Sequence, residues 1–395
     1  MNAREILARL AETGTPSDGP SALRLAVGLE DSLTRLETET LPYLRAGGSE
    51  LRFIYAPYGR GKTHLLFSWQ EAARRRGFVT AYIDCQTEYS PFTSLPATYR
   101  QIAVSLEAPE VMPDSTPSKG VESVIEAFLN SGPAPLERLK RLNQDPYLVS
   151  DFRNTVVAYG RSLLQHQLRE LQQELKALLL HHTGSRVRIT SLYRMYSWLP
   201  RPLGKLATRN APAWLRSLAS LPLSLGYAGC LVLFDETEKT QNISRLYRRE
   251  RQQYWANLRN LVDHLALGAF RGCALYFAVV DEFMEEAESN LAALSQRLER
   301  MRLAKESEER IFPNPRAVWV NIDELTHPNP ETPEFYRLLA ERLLSVGREA
   351  GLKEDRAQRL SMELKGQAER FAKSIRMGAV RDFVKLAASK IAVAW

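Results

Sequence analysis

The chain has 395 residues, of which 44% are hydrophobic and 25% charged, a balance typical of globular proteins rather than of disordered ones. This length predicts two or three folding units. No stretch approaches eighteen consecutive apolar residues, and the start MNAREILARLAETG lacks the basic-then-apolar pattern of a signal peptide. We therefore expect no membrane contact and a cytoplasmic location.

The charge and cysteine content narrow the functional classes further. A net charge of +7 favours an anionic partner, although the distribution of the charge matters more than its sum. Cys85, Cys230 and Cys273 each lie in an apolar run without metal-ligand spacing, so we expect small buried side chains. The six histidines are scattered, which gives a metal hydrolase little support.

Residues 1–47 predict an amino-terminal helical segment. Two amphipathic patterns, AREILARLAETG and ALRLAVGLEDSLTRLETETLPYLRAGG, flank the turn-rich GTPSDGPSA. Gly47 and Gly48 end the second pattern, and an apolar strand-like run follows them.

The run LRFIYAPYGRGKTHLL at 51–66 contains a Walker A loop, whose spacing rule is G-x-x-x-x-G-K-[ST]. Only the first glycine is missing, since Ala56 occupies its position. Glycines let the backbone wrap an anion, and the amino terminus of the next helix adds partial positive charge. Lys62 is expected to act in catalysis by reaching the β and γ phosphates, and Thr63 is expected to bind Mg²⁺.

A chance Gly-Lys-Thr in a loop is the alternative, but a strand before the loop and a helix after it favour a phosphate site. The residues expected to bind the nucleotide here are Pro57, Tyr58, Gly59, Arg60, Gly61, Lys62, Thr63 and His64. The β-branched run FVTAYIDCQ follows the helix and predicts a second strand. Strand, helix and strand in succession predict a βαβ unit and a mainly parallel sheet.

Residues 113–222 predict a mostly helical, basic insertion. No Asp or Glu occurs between Leu175 and Phe234, while arginines and aromatic residues alternate there. Arg186, Arg188 and Arg194 are candidates for phosphate contacts with nucleic acid, and neighbouring aromatics could stack on unpaired bases. In the alternative, the aromatics anchor a helical core and the arginines face solvent or protein. Sequence alone leaves both interpretations open.

The run AGCLVLFDETEKT at 228–240 predicts a strand buried on both faces that ends in Asp235 and Glu236. Together with the Walker A loop, this acid pair is typical of a Walker B motif. Asp235 is expected to orient the Mg²⁺ shell and Glu236 to polarise the attacking water.

The remaining chain predicts two further strands and a helical end. GCALYFAVVDEF at 272–283 ends near Asp281, and AVWVNIDEL follows Pro313 and Pro315. We therefore divide the chain into a helical lead-in at 1–47, a P-loop ATPase core at 48–325 and a carboxy-terminal helical segment at 326–395, which the family resemblance described next implies is a lid.

The chain resembles the P-loop ATPases of the BREX phage-defence ATP-binding family, relatives of AAA+ and origin-recognition ATPases. The resemblance covers most of the chain, roughly residues 20–300, and the following segments carry it. They are APYGRGKTHLL, IDCQTEYSPFTSLPATYRQIA, SLGYAGCLVLFDETE, RRERQQYWANLRNLVD and LAALSQRL.

The resemblance implies an AAA+-like α/β P-loop core with a helical lid. Arg381, three residues after Gly378, would contact the nucleotide from the lid. Arg297 would be a catalytic arginine that acts on a neighbouring subunit, and Arg300 is the second candidate for this role. Such an arginine implies a homo-oligomer. Asp281 departs from the Asn, Thr or Ser usual at a γ-phosphate sensor.

These patterns predict an ATP- and Mg²⁺-dependent ATPase that works on DNA, or on a DNA-bound partner, together with other defence-system proteins. A nucleotide-dependent scaffold with negligible turnover is one alternative. A transposition-regulator-like protein that loads onto DNA is another.

Overall fold

The structure is a computed structural model that describes residues 2–85, 91–109, 118–165, 168–181, 188–236, 248–290, 319–374 and 378–394. Among the helices described, none combines the length and the apolar character that a bilayer crossing requires.

The described core is built on one six-stranded sheet. Its strands are β1 (Ser49–Tyr55), β2 (Val79–Asp84), β3 (Leu106–Glu107), β4 (Cys230–Asp235), β5 (Cys273–Val279) and β6 (Trp319–Asn321). Their order is β3-β2-β4-β5-β1-β6, and every pairing is parallel except that of β3 with β2. The predicted mixed α/β fold with a mainly parallel sheet is confirmed.

Helices surround the sheet and continue beyond it. Those before and within the core are α1 (Ala3–Thr13), α2 (Gly19–Arg24), α3 (Glu30–Arg35), α4 (Leu41–Arg45), α5 (Lys62–Arg75), α6 (Leu95–Ser105), α7 (Val121–Asn130), α8 (Pro135–Leu142), α9 (Ser150–Leu163), α10 (Arg169–Leu179), α11 (Ile189–Met195), α12 (Ala211–Ser224), α13 (Arg248–Ala266) and α14 (Asp281–Asn290). Those after β6 are α15 (Pro333–Glu349), α16 (Glu354–Ala372) and α17 (Ala379–Val393). Single turns at Leu36–Thr40, Pro91–Thr93 and Ile322–Glu324 complete the described elements.

The central strands are apolar throughout because helices cover both faces of the sheet. Every residue of β4 and β5 is buried. Leu231 and Leu233 pack with Trp69 of α5 on one face. On the other face, the rings of Phe234 and Phe277 stack with centroids 4.7 Å apart.

The amino-terminal helices pack in two different places. Leu7 and Leu10 of α1 belong to the apolar cluster of the carboxy-terminal helices, which also contains Phe383. Leu36 and Leu44, by contrast, pack in the cluster beside the sheet. The division of the chain at residues 47 and 325 therefore stays a prediction from sequence.

The helices of the 113–222 insertion join the main core through aromatic residues. Trp214 is fully buried, with its ring 5.5 Å from that of Tyr99 and 5.3 Å from that of Phe152. Three further aromatics, Tyr193, Tyr196 and Trp198, are partly buried against the same cluster. These aromatics pack against the core, which agrees with the second interpretation of this segment.

A buried ionic network ties β1 to its neighbours. Glu50 accepts a hydrogen bond of 2.7 Å from the Tyr276 hydroxyl of β5, and its carboxylate lies 2.5 Å from Nε of Arg52. Arg52 also donates to Thr40 at 3.3 Å. Breaking a buried ion pair from one side leaves an uncompensated charge in the interior, which is strongly destabilising.

We predict that Glu50→Gln lowers the free energy of unfolding by about 3 kcal/mol, because Arg52 then stays buried without its counter-ion. Glu354→Gln is the matched control, since it removes the exposed ion pair with Arg348 and should cost far less. Denaturant unfolding measures both variants. Equal losses would contradict a structural role for the buried network.

Candidate functional site

The loop between β1 and α5 has the backbone shape that an anion site needs. Gly59 and Gly61 have φ values of +77° and +92°, in the left-handed region that favours glycine. The helix begins directly after the loop, since Leu65 N donates to Gly61 O at 2.9 Å. The first N–H groups of a helix have no partner within it, so they are available to bind an anion.

Lys62 folds back over this loop. Its Nζ donates to the carbonyl oxygens of Ala56 at 2.7 Å and Pro57 at 3.3 Å, and it lies 5.4 Å from the centroid of the Tyr58 ring. An ammonium group held at this position is within the loop rather than in bulk solvent. A phosphate bound in the loop would meet it directly.

Ala56 fits the position where the motif usually has glycine because its methyl group is part of the core. The residue is fully buried in the cluster with Leu65 and Leu66, and its N–H donates to Val279 O at 3.3 Å. The departure from the Walker A pattern is therefore a packing contact at the junction of strand and loop.

The acid pair lies at the carboxyl end of β4. Asp235 is buried, and its two carboxylate oxygens accept hydrogen bonds from the Tyr82 hydroxyl at 2.6 Å and from Glu236 N at 2.9 Å. Burial, followed by the nearby Asp235 carboxylate, raises the pKa of Tyr82 far above its usual value, so this hydroxyl stays a donor. Glu236 has φ +50°, a left-handed conformation that is uncommon for residues other than glycine.

One cavity of about 140 Å³ brings the loop and the acid pair together. Its polar end contains Tyr58 to His64, Asp235 and Glu236, and Arg381 of α17 also lines it. Its apolar end is formed by Leu10, Leu25, Val27, Phe335, Leu339 and Val384. The sequence did not predict that amino-terminal residues form part of this apolar end. An amphipathic pattern indicates that one face of a helix is buried, but it does not show which part of the protein that face packs against.

Two donors in the cavity suit a magnesium ion. Thr63 supplies a hydroxyl oxygen and Asp235 a carboxylate oxygen, and both line the same space. Mg²⁺ prefers a few protein oxygens completed by phosphate and water. The residues present therefore fit the ion that the sequence predicts.

Arg60 and His64 use their side chains to hold the loop against other segments. Arg60 forms ion pairs with Asp323 at 3.0 Å and Glu331 at 2.9 Å, beyond the end of β6. His64 Nε2 lies 2.7 Å from the carbonyl oxygen of Ala22, and burial lowers its pKa, which favours the neutral ring. Pro57 is absent from the cavity lining and contributes its carbonyl oxygen to Lys62 instead.

The residue before α17 touches the loop at a pair of glycines. A Cβ atom on Gly59 would lie 2.6 Å from Cα of Gly378, the residue immediately before α17. Gly378 is itself left-handed, with φ +82°. The first turn of α17 therefore meets the loop backbone to backbone, and only glycine at 59 allows this approach.

Asp281 lies two residues beyond the end of β5, the strand between β1 and β4 in the order of the sheet. Burial and then Glu282 raise the pKa of Asp281, while Lys62 acts in the opposite direction. Asp281 does not itself line the cavity.

The other predicted residues lie away from this cavity or outside the described residues. Arg188 and Arg194 are exposed at α11 and do not line the cavity. Arg186, Arg297 and Arg300 fall outside the described residues.

We predict that Tyr82→Phe weakens Mg²⁺-dependent nucleotide binding roughly three- to tenfold, because Asp235 loses a hydrogen bond that orients its carboxylate. Titrating Mg²⁺ at fixed ATP measures the effect. Tyr159→Phe is the matched control, since its hydroxyl donates to Glu126 at 2.7 Å and neither residue lines the cavity. If both variants shift the Mg²⁺ titration alike, Tyr82 does not orient Asp235.

Comparison with known proteins identifies a family that matches most of the chain. Residues 1–190 and 203–384 match the family model described as BREX system ATP-binding protein BrxC/D. No curated protein and no solved structure matches the chain. The family match includes the loop at 56–63 and the acid pair, and it confirms the resemblance identified from sequence. Since it spans most of the chain, the protein belongs to the family of BREX system ATP-binding proteins.

Proposed function

We propose that the protein is an AAA+-like ATPase that binds ATP with Mg²⁺ between the core and the lid and hydrolyses it. The observation that carries the proposal is the single cavity shared by Lys62, Thr63, Asp235, Glu236 and Arg381. These side chains come from the loop, the end of β4 and the lid, and their chemistry suits a triphosphate and its metal ion.

Each side chain then has a role in phosphoryl transfer. The N–H groups at the start of α5 and the Lys62 ammonium bind the β and γ phosphates. Thr63 and Asp235 hold Mg²⁺, which neutralises charge that develops on the phosphate oxygens. Glu236 orients and polarises the attacking water, and its strained backbone sets the direction of the carboxylate.

Hydrolysis would change the position of the lid by altering the contacts that it makes with the loop between β1 and α5. A nucleotide in the cavity of about 140 Å³ would touch the loop and α17 together, since both line it. Two sets of contacts join the loop to the segments after β6. They are the Gly59–Gly378 approach and the ion pairs of Arg60 with Asp323 and Glu331.

The proposal extends to a homo-oligomer in which Arg297, with Arg300 as the next candidate, completes the site of a neighbouring subunit. Its support is the resemblance of LAALSQRL to the family, together with the general need of an arginine finger for a partner site. The partners would be DNA, or a DNA-bound protein, and other components of an anti-phage defence system.

A nucleic-acid surface on the insertion is supported by exposure and charge. Arg188 and Arg194 are exposed, and Arg209 and Lys205 follow in the same acid-free segment. Phosphate contacts by such residues require no aromatic platform, so the burial of the neighbouring aromatics does not weaken them. Binding through this surface would be independent of base sequence.

We predict that Glu236→Gln binds ATP with nearly unchanged affinity and hydrolyses it at least about 100-fold more slowly, since only the group that activates water is altered. Phosphate release and equilibrium ATP binding measure the two effects. Lys62→Ala is the comparison variant and should lose ATP binding itself. Normal turnover by Glu236→Gln would remove Glu236 from the mechanism, and a wild type without turnover, with or without DNA, would instead indicate a nucleotide-dependent scaffold.

We predict that the double reversal Arg188→Glu with Arg194→Glu weakens DNA binding equally for unrelated sequences. It should also reduce the slope of log affinity against log salt by about one for each phosphate that the protein no longer binds. The double variant Arg188→Lys with Arg194→Lys retains the charge and should bind as the wild type does. Unchanged binding after charge reversal would exclude this surface.

A further inference from the structure

The turn that ends α1 packs directly against the first turn of α17. Gly14 terminates α1 in the left-handed conformation with φ +71°, and its N–H donates to Leu10 O at 2.8 Å. A Cβ atom at this position would lie 2.6 Å from Cγ of Arg381 and 2.7 Å from its carbonyl oxygen. No side chain fits between the two helices unless Arg381 moves.

The same turn also binds the guanidinium group of Arg381. Nε of Arg381 donates to the carbonyl oxygen of Thr13 at 3.0 Å, one of the last carbonyls of α1, which have no partner within the helix. No carboxylate among the described residues forms an ion pair with Arg381. Its terminal Nη–H groups can therefore donate to an anionic ligand in the cavity that Gly14 and Arg381 both line.

Apolar packing holds α1 in this place. Leu7 and Leu10 are buried in one cluster with Phe383 and Val384, which lie on α17 just after Arg381. Leu10 also lines the apolar end of the cavity. The end of α1 is thus fixed relative to α17 by a core contact on one side and by the Arg381 hydrogen bond on the other.

We infer that the carboxyl end of α1, through Gly14 and the Thr13 carbonyl, is a positioning element that directs Arg381 at the phosphates of the nucleotide. The inference rests on the proposed ATP function of the cavity. Gly14 itself touches no reacting atom, and it acts through Arg381 by leaving room for its stem. A fork of donors held at a fixed angle distinguishes a triphosphate from a diphosphate better than a freely moving charge does.

The test is Gly14→Ala compared with Gly268→Ala. Gly268 has φ +70° and nothing within 4 Å of its added Cβ, so it reproduces the backbone strain of a left-handed alanine without a clash. Equilibrium binding of ATP and of ADP is measured for both variants, for Arg381→Ala and for the double variant Gly14→Ala with Arg381→Ala. The thermal unfolding temperature of each variant measures the stability lost by placing alanine in a left-handed conformation.

We expect Gly14→Ala to lower the preference for ATP over ADP roughly tenfold, as Arg381→Ala does, since each removes one well-aimed charge-assisted hydrogen bond. Gly268→Ala should keep the wild-type preference despite a similar loss of thermal stability. The double variant should be no worse than Arg381→Ala alone, because both changes remove the same interaction.

If Gly14→Ala does not fold, Arg381→Lys takes its place, because lysine keeps the charge and lacks the Nε–H that binds Thr13. It should lose the same preference for ATP. Equal ATP preference in Gly14→Ala and Gly268→Ala, or additive losses in the double variant, would overturn the positioning role while ATP binding by the wild type stands. A wild type that binds no ATP would overturn the proposed function itself, and the inference with it.

Discussion

Parallel pairing of β4, β5 and β1 brings the carboxyl ends of the three strands to one edge of the sheet. The register aligns Phe234 with Phe277 and Tyr55 with Val279, so the residues that follow these strands emerge side by side. The phosphate loop, Asp281 and the acid pair are neighbours for this reason alone. Burial of β4 and β5 on both faces specifies this register strongly, because a shifted strand would no longer match the packing of its side chains.

The start of α17 meets the loop and α1 through close contacts at glycines. Gly59 meets Gly378 at the loop, and Gly14 meets Arg381 at the end of α1. Both contacts place a left-handed glycine of the core or lead-in against the first turn of α17. A change at the phosphates would therefore act on α17 from two sides, through the loop and through α1, and α17 is packed on α15 and α16 by one apolar cluster.

The charged side chains of the described residues differ in the partners they have within the fold. Arg52 and Arg60 are bound to carboxylates, and Lys62 to carbonyl oxygens, within the folded structure. Arg381 and the exposed arginines of α11 lack such carboxylate partners among the described residues. The net charge of +7 is therefore a weaker guide to where anionic ligands bind than the partners of the individual arginines.

The sequence by itself determined the features that depend only on residues close together in the chain. Glycine spacing predicts the loop, apolar runs predict the buried strands, and an acid pair after such a run predicts Asp235 and Glu236, since each depends on residues adjacent in the chain. Only the tertiary structure decided that α1 lines the cavity beside the loop, that Arg60 forms an ion pair with Asp323, and that the aromatics of the insertion pack against the main core. These contacts join residues far apart in the chain, and an amphipathic pattern or a basic side chain is compatible with many partners until the packing of the whole chain selects one.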